Sequence, residues 1–532
     1  IYHMGREEKA DLILNRQAMA SHTFVTGSTG TGKSNAVYHL LDEITKDGRT
    51  SFLVVEPAKG EYKNVFGSRA DVKVFGTNPR ETPLLRINPF AFPQDIHILE
   101  HIDRLVEIFN ACWPMYAAMP AVLKDAIERS YQKVGWDLRN SESEKGVFPT
   151  FFDLLDILPG VIEESHYSKD TQSDYVGALC TRVKSLTNGI YGSVFCAEDA
   201  LSDAELFDCN VVVDLSRVGS METKSLLMGI LVMKLQEYRM CGSEMNSRLR
   251  HVTVLEEAHN LLRKTSAEQP QEGANLQGKS VEMLANAIAE MRTYGEGFII
   301  ADQAPGLLDM SVIRNTNTKI ILRLPDEEDR KLVGKSAALK EAQIDELSKL
   351  PLGVAAVYQN EWPEAVLCKI EAYPMPENAV YHKPSKMPHE INAEFVFGQL
   401  AAGKELEPLS VSEMEQLKRW LKRHEMMLKP EDGRYLEQVF AGGELDVAKT
   451  RKAVFDFFGG ISTVVDYCAA AEKSFTPRKE FLEQLQGQYG LKAAAADWVL
   501  NSVISMGMSL NPDAKAVDNL RTNFEQQGGR VL

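Results

Sequence analysis

Short apolar, β-branched runs alternate with longer helical stretches over roughly the first 370 residues. This alternation is typical of a mainly parallel β-sheet whose strands are joined by helices. Several of the runs are almost wholly apolar, as expected for strands that helices cover on both faces. The predicted strands are Thr23–Thr26, Ser51–Glu56, Val72–Phe75, Val211–Leu215, Val252–Glu256, Phe298–Ala301, Lys319–Leu322, Val354–Tyr358 and Ala365–Ile370.

Two segments break the alternation. Residues 96–193 predict an all-α insertion, with a polar loop near Arg139–Gly146. Residues 373–392 contain four prolines in a polar stretch, and this density indicates a linker because proline continues neither a helix nor a central strand. Residues 393–532 show helical periodicity again and predict a C-terminal helical domain. We therefore expect an α/β core formed by residues 1–95 and 194–372.

Composition limits the class of protein. Hydrophobic residues make up 44% and charged residues 25% of the 532 residues, as in ordinary soluble proteins, and no run is long enough to span a bilayer. The seven cysteines are scattered, which argues against a disulfide framework and favours the cytoplasm. The net charge of −16 argues against coating DNA over the whole surface, but a basic channel in an assembly needs few residues per subunit.

A glycine-rich loop follows the first predicted strand and leads into a predicted helix. It reads Gly27-Ser28-Thr29-Gly30-Thr31-Gly32-Lys33-Ser34, the pattern of a P-loop in its usual strand–loop–helix context. Such a loop points backbone N–H groups and a helix N-terminus at phosphate. Lys33 would reach the β- and γ-phosphates of ATP, and Ser34 would bind Mg²⁺. The alternative is a chance glycine-rich turn.

Two carboxylates end the predicted strand Val252–Glu256. Glu256 would hold the Mg²⁺ shell, although aspartate is commoner there and glutamate is one methylene longer. Glu257 would orient the attacking water. An acidic pair at a strand end is, by itself, more often a solvated helix start. The upstream P-loop favours the catalytic interpretation.

Three further side chains are candidates for catalysis. Gln303 follows another apolar strand and could sense the γ-phosphate or the water, or it could merely cap the next turn. Arg292 and Arg314 could each act as an arginine finger supplied by an adjacent subunit. Either arginine could equally be a surface residue in a weak ion pair.

The segment Glu56–Lys63 follows the second predicted strand and lies close to the predicted phosphate site. This loop, which contains Lys59 and Lys63, could contribute to catalysis or face a polymeric substrate. The segment could also be a plain β–α connection, and the sequence leaves these alternatives open.

These motifs, in this order, resemble the HerA/FtsK superfamily of RecA-like P-loop ATPases. The resemblance is carried by the P-loop with its flanks (26–35), by Glu56–Tyr62, by Arg86–Phe90 and by Glu256–Asn260. It covers about residues 1–370 and is strongest to the HerA branch with its domain of unknown function 87; type IV secretion ATPases are near relatives. By this resemblance the loop residues through Asn35 bind the nucleotide, and Arg292 and Arg314 fall in the family's arginine-bearing stretches.

The resemblance implies a RecA-like fold, ATP and Mg²⁺ as cofactors, and a homo-hexamer with sites between subunits that moves along or unwinds double-stranded DNA. The family's N-terminal β-barrel has no counterpart here, so we expect an upstream part to be missing from this sequence. Two alternatives remain: an ATPase scaffold or switch of an anti-phage defence complex with a nuclease or sirtuin-like effector, and a type IV secretion-type ATPase. The lack of a predicted membrane segment counts mildly against secretion and predicts no membrane insertion.

Overall fold

The computed structural model describes residues 1–3, 6–7, 10–116, 118–143, 146–197, 200–242, 244–265, 276–375, 380–383, 430–440, 446–471, 476–489, 493–511 and 513–531. The chain divides into two compact units, Ile1–Pro384 and Ser385–Leu532. Residues 376–379 and 384–392 of the predicted linker, and 393–429 of the predicted C-terminal domain, lie outside the described residues. The domain boundaries given above therefore stay predictions.

The first unit is built on a nine-stranded sheet. In chain order its strands are β1 Thr23–Thr26, β2 Ser51–Glu56, β3 Val72–Gly76, β4 Asn210–Asp214, β5 His251–Glu256, β6 Glu296–Asp302, β7 Thr318–Ile321, β8 Val354–Gln359 and β9 Val366–Lys369. Their order across the sheet is β9-β8-β7-β1-β6-β5-β2-β4-β3. Neighbours are parallel from β7 to β3, and β8 and β9 add an antiparallel edge. The prediction of a mainly parallel α/β fold is confirmed, with all nine strands placed to within two residues.

Helices connect these strands and cover the sheet. Those of the first unit are α1 Lys33–Thr45, α2 Tyr62–Phe66, α3 Ile98–Cys112, α4 Met119–Lys133, α5 Phe151–Glu164, α6 Lys169–Tyr175, α7 Thr181–Thr187, α8 Gly189–Phe195, α9 Asp203–Phe207, α10 Met221–Gly242, α11 Leu276–Glu290, α12 Met310–Arg314, α13 Glu327–Ser336 and α14 Glu341–Glu346. A π-helical segment, Val176–Cys180, joins α6 to α7, and short 3₁₀ helices occur at Arg16–Ser21, Ala258–Asn260, Met291–Tyr294 and Pro305–Leu307.

Strand β2 shows why the predicted strands are apolar throughout. Phe52 and Val54 belong to the core layer that contains α1, whereas Leu53 and Val55 belong to the layer that contains α10. Successive side chains of a strand point to opposite faces, so a sheet covered on both faces buries every position. Each such side chain contributes about 1.5–3 kcal/mol by leaving water.

The region predicted as an insertion, 96–193, contains helices α3 to α8. It packs on the sheet unit through α3, which contacts both α10 and α11. A small antiparallel hairpin interrupts the helices here: Trp136–Asp137, just before the predicted polar loop near Arg139–Gly146, pairs with Glu142–Ser143 within it. The indole of Trp136 donates to the carbonyl of Val147 at 2.7 Å and closes this hairpin.

The second unit is helical in its described part, as predicted. Its helices are α15 Pro430–Phe440, α16 Val447–Phe457, α17 Gly460–Ala471, α18 Pro477–Tyr489, α19 Ala493–Leu510 and α20 Ala514–Gln526. They enclose a separate apolar core that includes Leu436, Val454, Tyr467, Leu500, Ile504 and Phe524. In the described part of the chain, no single helix is long and apolar enough to cross a membrane; the bent pair Ala448–Phe457 and Gly460–Ala471 would be so by length and composition alone.

The buried side chain of His22 connects the residue before β1 to β6 and to the end of α11. His22 precedes β1, has a φ of 64°, and accepts the N–H of Phe298 on its Nδ1 at 3.0 Å. Its Nε2 faces the carbonyl of Ala289 at 3.4 Å, at the end of α11. Because Nδ1 is an acceptor here, the ring is neutral and Nε2 carries the proton. Burial lowers the pKa of His22 from 6.5 to about 4.

We predict that His22 makes the first unit sensitive to acid. The unfolded chain takes up a proton near pH 6.5 and the folded chain only near pH 4, so the stability present above pH 6.5 is lost as the pH falls towards 4. The loss is about 1.4 kcal/mol per pH unit within this window. His22→Asn keeps a residue that tolerates positive φ and removes the titrating group.

Urea unfolding of the wild type and of His22→Asn at pH 7, 6 and 5 measures this effect. The wild type should lose stability with falling pH more steeply than the variant. His166→Asn, which removes an exposed imidazole on the insertion, serves as the control. Equal pH slopes for the wild type and His22→Asn would contradict the prediction.

Candidate functional site

Four neighbouring strands of the sheet each end in a buried carboxyl group. In their order across the sheet these residues are Asp302 at the end of β6, Glu256 of β5, Glu56 of β2 and Asp214 of β4. Because the four strands are parallel, their carboxyl ends lie at one edge. The glycine-rich loop leaves β1, beside β6, at the same edge.

Hydrogen bonds hold the glycine-rich loop to the residue after β7 and to itself. The N–H of Ser28 donates to the carbonyl of Arg323, just beyond β7, at 2.9 Å. The hydroxyl of Thr31 donates back to the carbonyl of Ser28 at 2.7 Å. Gly32 precedes α1 with a φ of 108°, which favours glycine, and a Cβ on Gly27 would lie only 2.7 Å from Thr31 Oγ1. The loop leads directly into α1, whose first residues, Lys33 and Ser34, line the cleft.

Lys33 lies across this loop. Its ammonium donates to the carbonyl of Gly27 at 2.7 Å and to that of Ser28 at 3.4 Å. Burial lowers the pKa of Lys33, and the nearby carboxyl of Glu256 opposes this change. The lysine thus lies in the same cleft as the carboxyl groups, as predicted from the sequence.

Asn35 has a different environment from the loop residues before it. Its Nδ2 donates to the carbonyl of Glu371 at 2.7 Å, and its Oδ1 accepts the N–H of Tyr373 at 2.7 Å. His39, one turn further along α1, also contacts the carbonyl of Glu371 at 3.0 Å. These contacts give Asn35 a structural role, anchoring the chain after β9, which the sequence did not indicate.

Glu256 is buried at the end of β5. Its Oε1 accepts a hydrogen bond from the hydroxyl of Tyr62 at 2.5 Å. Burial raises the pKa of Glu256, while the Tyr62 hydroxyl and the Lys33 ammonium both favour the ionised form. The side chain also lines the cleft beside Lys33 and Ser34.

Glu257 has a left-handed backbone, with φ 44° and ψ 51°. A non-glycine residue pays about 1 kcal/mol or more for this conformation, which is common at functional sites. Its carbonyl accepts both the backbone N–H of Asn260, at 2.9 Å, and the side-chain amide of Asn260, at 2.8 Å. The turn is therefore held in place, and the half-buried side chain of Glu257 lines the cleft.

Gln303 and Asp302 follow one another but have separate roles. The exposed side chain of Gln303 accepts a hydrogen bond from the hydroxyl of Thr29 at 2.8 Å, which links the end of β6 to the glycine-rich loop. Asp302 Oδ2 accepts the N–H of His259 at 2.8 Å and lies 2.9 Å from its Nδ1. The carboxyl of Asp302 raises the pKa of His259, and its other oxygen accepts the N–H of Ala304. Asp302 thus fixes the turns that carry Glu257 and Gln303.

The segment after β2 supplies hydrogen-bond donors to the carboxyl groups of Glu56 and Asp214. Glu56 accepts the backbone N–H groups of Glu61 and Tyr62 at 2.8 and 3.1 Å. Burial nevertheless raises the pKa of Glu56 to about 8. Lys63 pairs with Asp214 at 2.6 Å, and also with Glu81. Of the two lysines that the sequence left open, Lys63 is thus occupied by ion pairs, whereas Lys59 lines the cleft.

The cleft bounded by these elements holds about 450 Å³ of space open to solvent. It is lined by Thr29, Lys33, Ser34, Glu56, Ala58, Lys59, Glu256, Glu257, Asp302 and Gln303. In the described part of the chain, no cluster of three or more histidine, cysteine or acidic side chains is arranged to hold a metal ion. A Ser34 hydroxyl and a single Glu256 carboxylate suit Mg²⁺, which in nucleotide sites takes most of its ligands from phosphate and water.

The two candidate arginines lie away from the cleft. Arg292 precedes β6 and Arg314 precedes β7, so both exposed side chains belong to the amino edge of the sheet. Strand β6 alone has seven residues, which span roughly 20 Å. Neither arginine lines the cleft of its own chain.

Sequence reasoning missed Tyr62 and Asp302 as parts of the site. Asp302 adjoins Gln303, and an acid at the end of an apolar strand is a detectable signal. Tyr62 gives no comparable signal, because its partner Glu256 is 194 residues away.

The chain resembles known proteins over part of its length. Residues 3–188 match the family model described as Helicase HerA, central domain. A probable helicase of Methanocaldococcus jannaschii is 23% identical over 390 residues, which are 68% of this chain and 68% of that protein. The DNA double-strand break repair helicase HerA of Sulfolobus acidocaldarius is 25% identical over 365 residues, or 67% of this chain and 66% of that one. The chain thus spans about two thirds of the length of these relatives.

Two solved structures share the fold. VirB4 of Thermoanaerobacter pseudethanolicus has a TM-score of 0.51 at 19% identity, covering 66% of this chain and 90% of that one. The plasmid coupling protein TrwB in complex with ADP and Mg²⁺ has a TM-score of 0.50 at 16% identity, covering 70% and 93%. The predicted resemblance to P-loop ATPases of the HerA/FtsK type is confirmed.

Proposed function

We propose that this chain is an ATP-hydrolysing motor that moves along or unwinds double-stranded DNA and works as a ring of six subunits in the cytoplasm. The observation that carries the proposal is the single cleft that brings together Lys33 and Ser34 of the glycine-rich loop with Glu256 and Glu257. The similarity to the HerA central domain supports DNA as the substrate.

Each side chain of the cleft has a role in this proposal. The loop N–H groups and Lys33 bind the phosphates of ATP, and Ser34 and Glu256 hold Mg²⁺. When bound, Mg²⁺ neutralises charge that develops on the phosphate oxygens. Glu257 accepts a proton from the attacking water, and the strained turn that Asp302 and Asn260 fix sets its direction.

Lys33 and Gln303 are placed to respond to the nucleotide. The ammonium of Lys33 bonds to loop carbonyls of Gly27 and Ser28, and phosphate oxygens at the loop would compete for it. Gln303 bonds to Thr29 of the same loop, so a change at the phosphates reaches the end of β6 through one hydrogen bond. This link supports the sensing role of Gln303.

The positions of the arginines support a site shared between subunits. Arg292 and Arg314 lie at the amino edge of the sheet and the cleft lies at its carboxyl edge. If either arginine stabilises the transition state, it does so in the cleft of another subunit, as an arginine finger in trans. A ring places every cleft against a neighbour.

We predict that two substitutions in the cleft both lower hydrolysis but differ in their effect on ATP binding. Lys33→Ala removes the charge that binds phosphate and should weaken ATP binding about 10- to 100-fold, and hydrolysis should cease. Glu257→Gln keeps the binding groups and should still bind ATP, but its turnover should fall at least about 100-fold because the proton acceptor is lost. Nucleotide titrations and steady-state phosphate release measure both effects.

Lys46→Ala, on the exposed end of α1, is the matched control for charge removal and should change neither quantity. Normal turnover in Lys33→Ala would contradict the assignment of the nucleotide site to this cleft. If Glu257→Gln loses ATP binding but hydrolyses at the normal rate the ATP that still binds, Glu257 does not orient the attacking water.

A DNA-dependent assay tests the substrate of the motor. ATP turnover by the wild type should rise when double-stranded DNA is added, and the DNA concentration needed should increase steeply between 50 and 200 mM salt, roughly 10³-fold or more for a protein that contacts several phosphates. DNA binding by Glu257→Gln, measured with ATP at the same salt concentrations, gives the DNA affinity without the effect of hydrolysis. Turnover indifferent to DNA would reject the DNA motor and favour the defence switch with an effector partner, or the secretion-type ATPase.

Mixed rings test the arginine in trans. Arg292→Ala and Glu257→Gln subunits should each be nearly inactive alone. Mixed together, they should regain part of the activity, because some interfaces then combine an intact Glu257 with an intact Arg292. The same mixture with Arg314→Ala identifies which arginine acts. No recovery with either arginine variant would contradict a finger from these two positions.

A further inference from the structure

Tyr62 makes a short hydrogen bond with the carboxylate proposed to hold Mg²⁺. It begins α2, its side chain is buried, and its hydroxyl donates to Oε1 of Glu256 at 2.5 Å. A hydrogen bond from a neutral donor to a carboxylate at this distance is among the stronger ones in proteins. One oxygen of Glu256 is thereby engaged on the side away from solvent, while the side chain still lines the cleft.

The ring of Tyr62 is held on several sides. Its backbone N–H donates to Oε2 of Glu56 at 3.1 Å, which fixes the start of α2. Tyr38 of α1 packs edge-on against the ring, with the centroids 4.9 Å apart, and Phe66 stacks on it at 6.5 Å. The ring of Tyr38 also packs edge-on against that of Tyr373, with the centroids 5.8 Å apart. Packing of this kind restricts the rotation of the ring, so the position of its hydroxyl is set before any ligand binds.

A glutamate needs this restraint more than an aspartate would. Glu256 has one more rotatable bond than the aspartate that is commoner at this position, and its longer side chain loses more rotamer freedom when it is fixed. A bond from a rigid hydroxyl removes that freedom in advance. Outer-shell partners of metal ligands act in this way, and their loss typically weakens metal affinity about 10- to 100-fold.

We infer that Tyr62 is a positioning residue: its hydroxyl fixes one carboxylate oxygen of Glu256 and thereby directs the other towards the Mg²⁺ of the bound nucleotide. The inference rests on the proposed function, since it takes Glu256 as the metal-side carboxylate. It assigns to the segment Glu56–Lys63 a part in metal binding, one of the alternatives that the sequence left open.

Tyr62→Phe tests the inference, because it removes the hydroxyl and keeps the ring. The measurement is the affinity of the full chain for a fluorescent ADP as MgCl₂ is titrated, with excess EDTA as the metal-free reference. The affinity in EDTA should equal that of the wild type. The Mg²⁺ concentration at half-maximal enhancement should rise about 10-fold or more.

Tyr131→Phe is the matched control. Tyr131 of the helical insertion is equally buried, and its hydroxyl donates to the carbonyl of Phe90, which precedes the insertion; neither residue lines the cleft. This variant also loses a buried tyrosine hydrogen bond, here to a backbone carbonyl, and should keep the wild-type Mg²⁺ midpoint. A similar midpoint shift in both variants would mean that general loss of stability is responsible, and would overturn the inference.

A double-mutant cycle shows whether Tyr62 acts through Glu256. Glu256→Gln alone should also raise the Mg²⁺ midpoint. In Tyr62→Phe/Glu256→Gln the second change should add little, because the hydroxyl then has no carboxylate to direct. Fully additive shifts would overturn the inference.

Replacing Tyr62 with p-aminophenylalanine keeps a donor at the same place. Its midpoint should lie between those of the wild type and Tyr62→Phe, and it remains measurable if Tyr62→Phe does not fold. A midpoint shifted as far as that expected for Tyr62→Phe would show that a donor at this position does not matter, and would overturn the inference. If the wild type itself binds ADP without any response to Mg²⁺, the proposed metal site fails; if it responds and Tyr62→Phe responds identically, only the role of Tyr62 fails.

Discussion

The burial of four carboxyl groups at adjacent strand ends is the constraint on which the site depends. Each of β6, β5, β2 and β4 ends in an acid that is at most 8% exposed. Ionised carboxyl groups so close together in an apolar setting are unfavourable unless hydrogen-bond donors compensate them, and even with such donors burial raises the pKa of Glu56 to about 8. Backbone N–H groups compensate Asp302 and Glu56, Lys63 compensates Asp214, and a tyrosine hydroxyl compensates Glu256. The loops after these strands fold as they do because they supply these donors.

The same compensation separates the acids by role. Asp302, Glu56 and Asp214 accept backbone or ammonium hydrogen bonds that hold the loops, and they serve as structural anchors. Glu256 has one strong donor and remains beside Lys33, and Glu257 lies one residue beyond the strand in a strained turn. The proposed mechanism accordingly uses Glu256 and Glu257, which the backbone of the loops does not engage through their carboxyl groups. This division follows from hydrogen-bond supply and not from the type of residue.

The chain after β9 extends this arrangement to the outer side of α1. Asn35 and His39 bond to the backbone of Glu371, and Tyr373 packs near Tyr38. The helix that carries the P-loop residues at its start is thereby fixed along its first two turns. A rigid α1 keeps the loop and the strand ends in register, which a site for phosphate and metal requires.

The sequence by itself determined the nine strands, the glycine-rich loop and the acids Glu56, Glu256 and Glu257, because apolar runs and local motifs are properties of neighbouring residues. Only the tertiary structure decided which strands lie side by side, since the order β6-β5-β2-β4 results from crossover connections. It likewise paired Tyr62 with Glu256 and turned Asn35 to the chain after β9. Arg292 and Arg314 looked like site residues in the sequence, but the parallel sheet separates its amino and carboxyl edges by the length of a strand. Contacts between residues that are hundreds of positions apart depend on how the layers pack, and no local pattern encodes them.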